Sequence, residues 1–156
     1  MLEIESDDFC KQSLKEAPML LIRHFPLLVI PLVIYNLYSL GFISVAGNIW
    51  GAQALSMNLP SGAEFVLSRG GLLVSLGLTL LFFEILKATR TAQATILDHL
   101  LSTFVFIIFL VQFIIEPNAA TSTFFILMFI AFLDVVAGYT ISIRVASRDV
   151  TFDRGI

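Results

Sequence analysis

Residues 121–144 read TSTFFILMFIAFLDVVAGYTISIR, and this stretch decides the fold class. From about 121 to 143 a helix would run about 34 Å at about 1.5 Å per residue, against a hydrocarbon core of about 30 Å. Its interior carries one charge, Asp134, and Arg144 closes it. Lipid offers the backbone no hydrogen-bond partner, so a run of this length is read as a membrane-spanning helix, which satisfies its own backbone.

Three more stretches of the same kind precede it, at about 25–46, 71–86 and 96–115. The reading is an all-α integral membrane protein, an antiparallel four-helix bundle over residues 21–146. An acidic leader covers 1–20 and a short tail 147–156. Composition agrees: charged residues make up 13% of the 156, where soluble domains average about 25%. In the first stretch Pro26 stands near the start, where a missing N–H costs little. Pro31 lies inside and is expected to bend the helix, because its ring clashes with the carbonyl of Leu27.

The connections differ in kind. Between the first and second stretches, Ala54–Leu59 and Ala63–Ser68 flank Pro60-Ser61-Gly62, a turn signal that predicts a small hairpin or an interfacial lid. Trp50 there suits the headgroup layer. The other links, Lys87–Thr95 and Glu116–Ala120, are short and make antiparallel neighbours. Pro117-Asn118 stops the third stretch, and Thr121 or Ser122 can cap the fourth.

Orientation follows from Lys and Arg alone. Lys11, Lys15 and Arg23 precede the first stretch, Lys87 and Arg90 join the second to the third, and Arg144, Arg148 and Arg154 follow the fourth. The opposite side holds only Arg69. Both termini are therefore expected in the cytoplasm.

Much is excluded. A net charge of −3 gives no basic surface for nucleic acid. The single cysteine, Cys10, makes neither an internal disulfide nor a metal cage, and it argues against the four-helix thiol–quinone oxidoreductases, which work through cysteine pairs. No zinc motif, P-loop or GxSxG sequence is present, so no catalytic residue and no cofactor is implied by motif.

A few polar groups need an explanation. Asp134, at mid-membrane depth, costs about 2.5–3.5 kcal/mol on the insertion scale unless it is paired, hydrogen-bonded or protonated. Gly138 and Ser142 follow it on one helix face, with Ala131 before it, a small-residue face suited to close packing. Asn36 is a candidate partner at similar depth. Glu84 stands three residues before Lys87, as an interfacial ion pair or as part of a cytoplasmic-face cluster with Arg90, Asp98 and His99. Asp98 near a helix start is also favoured by the helix dipole. Asp134, Glu84 and Asn36 are the candidate substrate- or proton-binding residues. His24 and His99, both at helix ends, raise a bis-histidine haem as a minor alternative. Phe104, Phe106, Phe109 and Phe113, with Phe124, Phe125, Phe129 and Phe132, read as lipid- and neighbour-facing bulk.

Pro60-Ser61-Gly62-Ala63, the run from Glu84 to Thr91, Asp98-His99, the run from Thr121 to Phe125 and the run from Asp134 to Gly138 together resemble small uncharacterised four-span inner-membrane proteins of proteobacteria. The resemblance covers roughly residues 25–150. It implies a compartment and no activity. Three functions follow for test. The first is a small interaction protein, an accessory, assembly or stabilising subunit of a larger membrane complex. The second is an oligomeric solute or proton-linked transporter using Asp134 and Glu84. The third is a quinone- or haem-associated redox protein. The expected partners are the bilayer and either a membrane protein or further copies of the chain.

Overall fold

The computed structural model describes residues 25–39, 48–90 and 95–152, and of 89, 90, 95–98 and 145–152 only the course of the backbone. The expected leader, His24, and the side chains of Arg90 and Asp98 lie outside that description. Within it the chain is mostly helical: α1 (Val29–Ser39), a hairpin of β1 (Gln53–Asn58) and β2 (Glu64–Ser68), α2 (Arg69–Arg90), α3 (Thr95–Ile115), a 3-10 turn (Pro117–Ala119) and α4 (Ser122–Phe152). Two of these, over Arg69–Ala88 and Ser122–Arg144, are long and apolar enough to cross a membrane. α1 and the His99–Ile115 part of α3 are apolar but shorter.

Successive helices alternate in direction. The start of α1 meets Glu84, near the end of α2, through Leu27. Further along α1, Tyr35 reaches Thr121, just before α4. The start of α2 lies beside Thr123, and His99 near the start of α3 lies against Gly138, well along α4. α4 packs along both α2 and α3, while α1 leans on α2 and α4. Among the described residues the arrangement is therefore an open layer of α2, α4 and α3 with α1 set against it.

Several local expectations change. Pro31 is the third residue of α1, in its first turn. The Leu27 carbonyl it would have clashed with already accepts the N–H of Ile30 in the preceding turn (3.0 Å). Pro31 therefore begins this helix instead of bending it. α4 continues to Phe152, so the first residues of the expected tail are helical. Thr121 is the cap of α4: its hydroxyl accepts the N–H of Phe124 at 3.2 Å.

The hairpin forms where the turn signal predicts. Gly62 donates to the Leu59 carbonyl at 2.9 Å, and its φ of 83° is one that glycine tolerates and a β-carbon disfavours. Pro60 sits at the second turn position, where its fixed φ belongs. Leu55 pairs with Leu67 and Met57 with Phe65 on one face, while Asn58 pairs with Glu64. An isolated two-stranded ribbon is marginal. This one is tied down at its base, where Ala52 and Trp50 accept the first amides of α2, from Arg69 and Gly70, at 2.8 and 2.9 Å.

The core lies around α4. Leu73, Gly77 and Leu81 follow one face of α2 into it, and a β-carbon at Gly77 would touch the Leu127 side chain at 3.0 Å. Phe124 is fully buried between Tyr35, 4.6 Å away ring to ring, and Phe109, at 5.3 Å. Trp50 stacks on Tyr35 at 4.5 Å, so it anchors the loop to the core as well as suiting an interface. The phenylalanines divide: Phe109 and Phe124 are core, whereas Phe104, Phe125 and Phe129 are about half exposed or more. Apolar side chains cover the outside generally, with Phe82 59% and Ile114 72% exposed. Water tolerates so continuous an apolar exterior poorly, and lipid accepts it.

Candidate functional site

Glu84, Asp134 and His99 are the buried acidic and basic side chains among the described residues, each less than a tenth exposed. They come from three helices to one place. Glu84 continues the buried face of α2 after Leu73, Gly77 and Leu81. Asp134 follows Ile130 and Ala131 on the buried face of α4. His99 enters from the first turns of α3, and its ring occupies the space over Gly138 that a β-carbon would need. Gly138 is thus what admits the histidine, and the small face of α4 exists to seat that ring. Tyr139 lies beside it, with ring centroids 5.9 Å apart.

Glu84 does two things. One oxygen, Oε1, accepts the N–H of Leu27 at 2.6 Å. That amide belongs to the turn that opens α1, where backbone donors have no partner of their own. A carboxyl oxygen from α2 thus caps α1 from outside. The other oxygen, Oε2, is buried and receives no hydrogen bond from the protein. The Asp134 carboxyl lies within hydrogen-bonding reach of Glu84, and Lys87 is close enough to be felt electrostatically. A cavity of about 20 Å³ lies among Pro26, Glu84, Lys87, His99, Ser102 and Asp134. That is room for about one water molecule.

Two facing carboxylates are both acceptors and cannot comfortably both be charged. A proton on either one would turn that acceptor–acceptor contact into a hydrogen bond. Chemically the centre is suited to holding a proton and to fastening three helices. It has no room for an organic substrate.

The third proposed proton-site residue is elsewhere. Asn36 does not join Asp134. Its side-chain amide donates to Gln112 at 3.1 Å and to the Leu32 carbonyl at 3.0 Å, and Gln112 donates back to it. Gln112 is thirteen residues along α3 from His99, about 20 Å by helical rise. These bonds hold Asn36 against α3 instead of Asp134. The reciprocal amide pair instead joins α1 to α3. Losing one member should hurt more than losing both. Gln112→Leu is expected to cost about 1–2 kcal/mol by stranding Asn36, with the Asn36→Leu/Gln112→Leu double variant recovering most of it. Thermal unfolding in detergent reads the difference.

Lys87 and His99 of the expected cytoplasmic-face cluster do line the cavity. Arg90 and Asp98 fall on helices whose side chains there lie outside the described residues. Sequence reading missed Gln112 and Tyr35. Tyr35 is fully buried, and its hydroxyl bonds the Asn118 carbonyl at 2.8 Å and the Thr121 hydroxyl at 2.7 Å. The signal was available: both are polar groups inside apolar stretches. Among the described residues no group of His, Cys, Asp and Glu is set to hold a metal.

No protein family, curated protein or solved structure matches the chain. The geometry therefore carries the functional argument alone.

Proposed function

We propose that the chain is a four-span inner-membrane protein with both termini in the cytoplasm, acting as a small interaction protein: an accessory, assembly or stabilising subunit of a larger membrane complex. The observation that carries this reading is the open layer. α4 is buried on the side of Phe124, Leu127, Ala131 and Asp134, while among the described residues Phe125, Phe129, Phe132, Val136 and Tyr139 on its other side stay about half exposed. A neighbouring helix can complete that layer, and in lipid such packing rests on shape rather than on hydrophobicity. The alternating helix directions and the Lys and Arg distribution support four spans. Inner-membrane residence is part of the proposal and rests on the sequence resemblance, which no family match supports. In this account the carboxyl pair, with its shared proton, locks α1, α2 and α4 together.

A second reading, a proton-linked carrier acting as an oligomer, is favoured by the same pair, since a buried proton shared by two helices can couple its release to their movement. One purification separates the two. The full chain is extracted from native membranes in mild detergent, and its mass and companions are identified. Recovery in fixed stoichiometry with a larger assembly, whose amount falls when the chain is deleted, is the expected result. Recovery as a homo-oligomer that carries out proton-driven flux, lost in Asp134→Asn without loss of the protein, would replace the first reading by the second.

A further inference from the structure

At the other end of the molecule a lateral trough of about 770 Å³ opens between α1, the hairpin base and α2. That is the size of a small-molecule site. We propose that it binds a phospholipid of net negative charge, with the phosphate on Arg69 and an acyl chain along α2.

The lining is ordered by polarity. Arg69 stands at one end, at the first turn of α2, with Trp50 from the hairpin base and Tyr38 from α1 also in the wall. Aromatic side chains with a polar edge favour the headgroup layer. From Arg69 the wall continues down α2 through Leu72 and Leu76 to Thr79, ten residues or about 15 Å of rise, half the hydrocarbon core. Two hydroxyls interrupt the apolar wall, and both are turned inward. Ser75 donates to the Gly71 carbonyl and Thr79 to the Ser75 carbonyl, each at 2.9 Å. The lower trough is therefore apolar in effect and presents an acyl chain with nothing to desolvate.

The upper end selects charge. Arg69 is the one charged side chain in the described lining, and no acidic side chain pairs with it among the described residues. The backbone amides at the start of α2 are already used: Arg69 and Gly70 donate to the hairpin base, and Gly71 donates to the Ser68 hydroxyl at 3.1 Å. Recognition falls to the guanidinium, whose planar fork fits two phosphate oxygens. With no carboxylate in the described wall, a choline or ethanolamine head finds no counter-ion. A glycerol head asks for none. That difference favours phosphatidylglycerol over phosphatidylcholine.

The inference rests on the membrane placement and not on the partner reading. If the chain were soluble it would purify without detergent, whereas lipid selectivity is measured on the isolated protein whether or not a partner exists. The full chain, purified in detergent, is mixed with equal amounts of phosphatidylglycerol and phosphatidylcholine and examined by native mass spectrometry. Wild type is expected to retain phosphatidylglycerol at least several-fold over phosphatidylcholine. Arg69→Gln should abolish the preference, and Arg69→Lys should keep part of it. Leu76→Trp, which fills the trough, should reduce retention of both lipids, with unfolding temperature confirming that each variant is folded. Equal retention of the two lipids by wild type, an unchanged preference in folded Arg69→Gln, or a dimer of the chain that excludes lipid would overturn the proposal.

Discussion

Glu84→Ala is expected to destabilise the protein by about 1–3 kcal/mol, while Glu84→Gln stays within about 1 kcal/mol of wild type. Alanine removes the acceptor for the Leu27 amide, 2.6 Å away, and leaves the buried Asp134 carboxyl facing the gap. Glutamine restores both connections: its carbonyl accepts from Leu27, and its amide donates to Asp134. Hydrogen bonds between helices in lipid average only about 0.6 kcal/mol, because a loosened helix finds other partners. The larger cost arises because the groups left behind are buried at a helix start and cannot reach water. Reversible unfolding in detergent or bicelles gives the two values. Equal losses for alanine and glutamine would mean that Glu84 acts through its charge, and the shared-proton description would fail.

Gly138, the one glycine of α4, should resist replacement. An alanine in a helix interior gains about 1 kcal/mol over glycine in intrinsic propensity, so the naive expectation is stabilisation. Here the new methyl would fall on the His99 ring. That ring is buried, and overpacking of this kind costs about 1–3 kcal/mol. Gly138→Ala is therefore expected to be destabilising on balance, and Gly138→Leu to lose about 3 kcal/mol or fail to accumulate. The sign is diagnostic. In a His99→Ala background the obstruction is gone, and Gly138→Ala should turn stabilising by about 1 kcal/mol. A Gly138→Ala effect that is the same in both backgrounds would show that the two residues do not touch.

Helix content was legible because a long apolar run away from water must satisfy its own backbone, and α2 and α4 carry such runs. The hairpin was legible from Pro60 and Gly62, whose backbone angles admit few alternatives. Asp134 and Glu84 stood out because a carboxyl in an apolar run demands a partner. Their partnership with each other did not follow, since depth along a helix says nothing about rotation, and Asn36 satisfied the depth argument equally well. What decides between them is which helix faces meet, and the contact that brings the start of α1 to Glu84 joins residues 57 apart in sequence. Pro31 misled for a related reason: a proline reads as a kink or as a start depending on where the helix begins, and α1 begins at Val29. Among the described residues α4 packs closely on the face that carries the small residues Ala131 and Gly138, while Phe125, Phe129 and Phe132 stay about half exposed.

A proton held by Glu84 and Asp134 between α2 and α4 should be visible in the infrared difference spectrum of the protein in membranes at neutral pH. The expected signal is a carbonyl stretching band of a protonated carboxylic acid, slow to shift in deuterated buffer because the group is buried, and absent from both Glu84→Gln and Asp134→Asn. No such band in wild type, or a band unchanged in both variants, would rule the shared proton out.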